Sequence, residues 1–148
     1  MCIRDSNKTE LSLGYGTLYG DMAGTIAVIG DVIKTEVVSM ARWINRESEV
    51  IPRFILDRPP SAELRPDQVD PFDYERVAPL VEAIVQGSPI PDGWSEGEIA
   101  RFRALLRSAE HKRWQAGIVL KVSERAFGTG RMMPVTRVDT KIDPASPL

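Results

Sequence analysis

The sequence predicts an α/β unit that is mostly helical, with one or few strands. Three observations carry this reading. Apolar residues return at helical spacing in three segments: Ile33 to Ile44, Val77 to Ile84, and Ile99 to Leu106. One short β-rich run, Thr25-Ile26-Ala27-Val28-Ile29, is closed by Gly30-Asp31 and reads as a buried strand. The chain has 148 residues, 43% apolar and 27% charged, which is the composition of one ordinary globular domain.

Each element has a local reason. Glu10 to Leu18 has helical character cut by Gly14 and Gly16, so a short helix is expected, and Gly20 to Gly24 is a loop. Asp31 is a good N-cap for a helix running to Asn45, with Ile33, Val37, Met40, Ala41 and Ile44 on its apolar face. That start puts Lys34 at the third helical position, where the partly positive helix terminus favours a carboxylate. Lys34 is therefore either a solvated lysine, at a small cost, or the partner of an anion such as a phosphate. Val50 to Leu56 holds at most a helical turn. Arg58 to Pro71 carries four prolines in 14 residues and excludes helix and central strand. It is an ordered functional loop or a linker, and Pro59-Pro60 fixes the approach to Ser61.

Phe72 to Gln86 is the next helix, with Val77, Leu80, Val81 and Ile84 as its stripe and Gly87-Ser88-Pro89 as its stop. Ser95 and Glu98 have capping-box spacing ahead of a helix that buries Ile99, Phe102, Leu105 and Leu106 and runs towards Trp114. The remainder is irregular, with a turn at Phe127-Gly128-Thr129-Gly130 and a frayed end from Pro144.

Composition excludes several classes of function. The net charge of −2 offers no electrostatic footprint for nucleic acid or an anionic membrane. No apolar run approaches the roughly 18 residues that span a bilayer, and no apolar signal core opens the chain, so a cytoplasmic protein is expected. The single cysteine, Cys2, excludes an intrachain disulfide, and with one histidine there is no zinc site of the usual type. The glycines at 14, 16 and 20 do not make a dinucleotide fingerprint, because their spacing is Gly-x-Gly-x-x-x-Gly and no strand precedes them.

Five motifs then occur in order. They are Asn7-Lys8-Thr9-Glu10 with Tyr19-Gly20-Asp21-Met22; Asp31-Val32-Ile33-Lys34-Thr35; Arg58 through Gln68; Glu110-His111-Lys112-Arg113; and Arg125-Ala126-Phe127-Gly128. Together they resemble the C-terminal half of the synthetase domain of NAD synthases, most closely the glutamine-dependent branch. The resemblance implies a Rossmann-like adenine nucleotide alpha-hydrolase (ATP-pyrophosphatase) fold, here incomplete. It implies a ligase in which the carboxylate of deamido-NAD attacks the α-phosphate of ATP, releasing pyrophosphate, and ammonia then converts the adenylate to NAD and AMP. By the same resemblance Lys34 and Ser61 bind ATP. Asn7, Glu10, His111 and Lys112 lie against deamido-NAD, and Glu10 is also the candidate ligand for Mg2+, which prefers hard carboxylate oxygen. Without the resemblance Glu10 reads as a first-turn carboxylate, Ser61 as a turn residue and His111 as a solvated helix residue. The complete enzyme is expected to be a homodimer supplied with ammonia, free or from glutamine.

The resemblance spans about Asn7 to Val135, so the chain divides into a non-family stub at 1–6, the family segment at 7–136 and a disordered tail at 137–148. The family's Ser-Gly-Gly-x-Asp-Ser loop, whose amides cradle pyrophosphate, is absent from the sequence. Residues 1–6 also do not match what precedes Asn7 in the family, which suggests truncated or misassembled sequence. The chain alone is therefore expected to be inactive and marginally folded, with the apolar faces of the helices from Asp31 and Phe72 lacking the sheet they cover. The alternative is a non-catalytic nucleotide-binding or interaction fragment.

Overall fold

The computed structural model describes residues 2–61, 65–128, 130–131 and 133–135. The expected tail at 137–148 and residues 62–64 of the proline-rich motif lie outside them. In chain order the elements are β1 (Ile3–Arg4), α1 (Lys8–Leu13), β2 (Ile26–Ala27), α2 (Lys34–Ile44), α3 (Arg53–Asp57), α4 (Tyr74–Gln86), α5 (Glu96–Ser108), α6 (Glu110–Arg113) and β3 (Ile118–Val119). The three short strands form one parallel sheet in the order β1-β2-β3, with Ile26 between Ile3 and Ile118. The unit is α/β and mostly helical, as its sequence indicates. No helix among the described residues is long and apolar enough to cross a membrane.

The core forms where α1, α4 and α5 meet. Leu11 and Leu13 of α1 pack with Val77, Leu80, Val81 and Ile84 of α4 and with Phe102 and Leu106 of α5. The apolar face of α4 is expected to lack the sheet it covers; instead α1 and α5 bury its stripe. For α2 the outer apolar residues are indeed open, with Met40, Trp43 and Ile44 exposed. α4 also tolerates Pro79, which removes the N–H that would reach the Glu75 carbonyl. Both residues are exposed, so that carbonyl is within reach of water.

Caps explain the helix boundaries. Ser95 and Glu98 form the expected capping box, with the Glu98 amide donating to Ser95 Oγ at 3.3 Å and the Ser95 amide donating to Glu98 Oε2 at 2.9 Å. Asn7 and Glu10 form a second box, so α1 starts at Lys8, two residues earlier than its periodicity suggests. It ends at Gly14, whose φ of 72° suits glycine. A Cβ at Gly14 would also lie 2.8 Å from that of Ala109. The helix expected to reach Trp114 breaks at Ala109 into α5 and α6. The Arg113 guanidinium occupies the break. It donates to the carbonyls of Leu106, Leu11 and Ser12 and pairs with Glu110, and burial pushes its pKa down.

The expected N-cap at Asp31 is corrected, for a reason that organises the molecule. α2 begins at Lys34 and receives no side-chain cap from Ile33, while Thr9 Oγ1 accepts the Lys34 amide at 3.1 Å from the neighbouring helix. Asp31 is buried and occupied elsewhere. Its Oδ2 accepts the amides of Val122 and Ser123 at 2.7 and 2.6 Å, and its Oδ1 lies 3.0 Å from Lys8 Nζ. Lys8 has no exposure to solvent and also meets Glu82 at 2.8 Å and Ser123 Oγ at 2.8 Å. One ammonium thus joins α1, the segment before α2, α4 and the segment after β3. Burial pushes the Asp31 carboxyl up, but the two amides, the Ser123 hydroxyl and Lys8 overcome it and hold the pKa below the ordinary value.

Removing the ammonium strands two carboxylates. Lys8→Met is expected to lower unfolding stability by about 3 kcal/mol or more, read from urea denaturation. Because the folded pKa of Asp31 is depressed, its contribution is complete above the unfolded value, near pH 4, and fades as pH falls through the folded value. Asp31→Asn should flatten that acid limb in a stability–pH series. An unchanged limb would show that Asp31 does not carry it.

Candidate functional site

The capping box of α1 turns Asn7 and Glu10 towards a cleft of about 940 Å³. Its walls are Asn7 and Glu10, the glycine-spaced loop from Gly14 to Asp21, Lys34 and Val37 of α2, Ser61, Gln68 and Asp70 of the proline-rich segment, and Lys112 of α6. The stretch from Asn7 to Asp21 and the proline-rich segment, with β2, α2 and α3 between them in sequence, therefore face one space. Asn7, Glu10, Lys34, Ser61 and Lys112 all line it. His111 does not: it is exposed, and its ring Nδ1 lies 2.8 Å from the Ser108 carbonyl.

The cleft side chains hold one another. Lys34 Nζ lies 3.0 Å from Glu10 Oε1, and the other Glu10 oxygen accepts the Asn7 amide at 3.0 Å. Lys34 is the first residue of α2 rather than its third, and its cation is 5.6 Å from the centre of the Tyr74 ring. The Tyr74 hydroxyl donates to Asp70 Oδ2 at 2.8 Å. Burial, then the bond and charge of Asp70 and the nearby charge of Glu10, push its pKa well up, so it stays a donor at any physiological pH. Lys112 Nζ donates to the carbonyls of Gly14 and Gly16 at 2.7 and 2.8 Å, which pins the start of the glycine loop.

Sequence reasoning assigned no role to Gln68, Asp70, Asp21 or Tyr15, which also line the cleft. Gln68 and Asp21 stand inside quoted motifs, so a reading of every polar motif position would have included them. Asp70 carries no such signal. Two of these residues keep an unused acceptor: buried Gln68 Oε1 and Asp70 Oδ1 have no hydrogen-bond partner among the described residues.

No three histidine, cysteine or carboxylate side chains among the described residues converge as a metal-binding group. Magnesium is usually held by one or two carboxylates together with phosphate oxygens. A single hard carboxylate such as Glu10, in the same cleft as a spare oxygen acceptor on Asp70, fits that donor chemistry.

Comparison with known proteins places this architecture. The family described as NAD synthase matches residues 1–116, so its match begins ahead of the boundary drawn at Asn7. The glutamine-dependent NAD(+) synthetase of Synechocystis is 40% identical over 145 residues, covering 93% of this chain and 26% of that protein. That of Thermotoga maritima is 40% identical over 146 residues, covering 92% and 25%. The chain thus spans about a quarter of the length of the curated relatives it matches. Among solved structures, the NMN synthetase of Francisella tularensis has a TM-score of 0.58 at 25% identity, over 75% of this chain and 43% of that one. The glutamine-dependent NAD(+) synthetase of Cytophaga hutchinsonii has a TM-score of 0.59 at 21% identity, over 90% and 24%, a likeness of fold. These neighbours share the parallel adenine nucleotide alpha-hydrolase architecture. With a family match over most of its length and relatives at this identity, the chain belongs to the NAD synthase family.

Proposed function

We propose that the protein to which this chain belongs makes NAD by ATP-dependent amidation of deamido-NAD, through a deamido-NAD adenylate, with release of pyrophosphate and AMP. The observation that carries this reading is the convergence of Asn7, Glu10, Lys34 and Ser61 on one cleft in a chain of this family. Lys34 binds the ATP phosphates, and Ser61 binds ATP. Asn7 and Glu10 face deamido-NAD, and Glu10 holds magnesium, which neutralises phosphate charge when bound. Glutamine is the ammonia source, because the relatives at about 40% identity are named glutamine-dependent. The same names favour the dinucleotide over the mononucleotide substrate. The working protein is a cytoplasmic homodimer.

His111 has little support as a substrate contact, since it lies outside the cleft lining. Lys112 has two tasks. An ammonium has three donors; Gly14 and Gly16 take two, and the third remains for a ligand.

The chain lacks the Ser-Gly-Gly-x-Asp-Ser loop, so incubation of the chain alone with deamido-NAD, ATP, magnesium and ammonia is expected to give no NAD. Joined at Asn7 to the preceding segment of the Synechocystis relative, it should give NAD, and Lys34→Met in that protein should abolish it. A folded joined protein that binds ATP yet forms no NAD would favour the non-catalytic reading. Lys112→Met should lower stability by about 2 kcal/mol through loss of two charge-assisted bonds. A melt unchanged by that substitution would show that Lys112 does not anchor the loop.

A further inference from the structure

We propose that Glu10 makes the cleft selective for metal-bound over metal-free nucleotide, by holding the Lys34 ammonium until a divalent cation takes the carboxylate. The inference rests on the reading of the cleft as a nucleotide site and adds how that site chooses the form of its ligand.

The two residues assigned to different ligands are each other's partner. Lys34 Nζ and Glu10 Oε1 are 3.0 Å apart, with side chains 25% and 20% exposed, at the cleft wall. The remaining charges in the cleft do not help a free anion. Asp5, Asp21 and Asp70 line the same space, and the other cation, Lys112, spends two of its three donors on Gly14 and Gly16. A metal-free triphosphate meets a wall with more carboxylates than ammoniums. It gains Lys34 only by displacing Glu10, and the displaced carboxylate then stands beside the phosphate. Both terms oppose binding.

A divalent cation reverses both. Because it prefers hard oxygens, the Glu10 carboxylate would hold it, and it would neutralise phosphate charge there. The contact that draws Glu10 away is the one that frees Lys34 for the phosphate. Occupation of either residue therefore eases occupation of the other, and the coupling is reciprocal. The capping box keeps the cost of exchange local. Glu10 Oε2 holds the Asn7 amide while Oε1 changes partner.

Glu10→Gln tests this, because glutamine also serves at the third position of a capping box and α1 should keep its start. The full chain, as wild type, Glu10→Gln and Lys34→Met, is titrated calorimetrically with ATP, once in chelator and once in excess magnesium, with a thermal melt of each variant. Wild type should bind ATP more tightly with magnesium. Glu10→Gln should bind metal-free ATP about fivefold more tightly than wild type, the worth of an exposed ion pair, and should gain little from magnesium. Lys34→Met should bind weakly in both conditions. The inference is overturned if folded Glu10→Gln binds metal-free ATP no better than wild type, or keeps the full magnesium effect. If binding depends on Lys34 but not in this way on Glu10, the inference falls and the nucleotide site stands. If no variant binds ATP in either condition, both fall. Should Glu10→Gln melt early, Glu10→Asp, which keeps the charge but is one methylene too short to hold Lys34, carries the same comparison, and equal metal-free affinity there also overturns the inference.

Discussion

A lysine ammonium without access to water must be surrounded by acceptors or lose its charge. Lys8 meets this demand by drawing in Asp31, Glu82 and Ser123 from three separate parts of the chain. The geometry of the cleft follows from it. With Asp31 turned towards Lys8 and the amides of Val122 and Ser123, no residue remains to cap α2 from its own side. Thr9, the next residue of α1, supplies that cap, and the Lys8 amide donates to the Val32 carbonyl at 2.9 Å. The starts of α1 and α2 are thereby fixed together. Glu10 and Lys34 come within bonding distance because their helices are tied at Thr9, next to Glu10, and at the Lys34 amide itself.

This explains which parts were legible in the sequence. The capping box at Ser95, the stripe of α4 and the stop at Gly87 are local devices, and each lies where the residues indicate. The position of Lys34 was misread for a nonlocal reason. Asp31 is a fair N-cap by residue type, but a buried cation 23 positions upstream outbids a helix amide for its carboxylate. The break at Ala109 has the same character. Nothing between Glu96 and Trp114 forbids a continuous helix, and only the carbonyls of Leu11 and Ser12 show why Arg113 bends it. β3 at Ile118–Val119 is two residues long, too short for any alternation to mark it.

The cleft was legible in a different way. Asn7, Glu10, Lys34, Ser61 and Lys112 were chosen by resemblance, not by periodicity, and they line one space. Resemblance also selected His111, whose neighbour Lys112 faces the cleft while His111 faces solvent. Adjacent helical positions point about 100° apart, so a short motif on a helix delivers only part of itself to any one site. Here the turn of α6 that aims Lys112 at Gly14 and Gly16 must aim His111 elsewhere.

What remains unpaired in the cleft then bears on its ligand. Asn7 is spent on its cap, Glu10 and Lys34 on each other, and Lys112 largely on the glycine loop. Among the described residues, the buried groups of the cleft left without a partner are acceptors, Gln68 Oε1 and Asp70 Oδ1, on the proline-rich wall. A buried acceptor without a donor is costly, and a ligand relieves that cost with donors or a cation, not with bare phosphate oxygens. The proline-rich wall is thus suited to the donor groups of a ligand or to a cation. Lys34 is the point at which phosphate charge can be received. In the proposed nucleotide reading, phosphate charge meets Lys34 and donor groups or a cation meet Gln68 and Asp70.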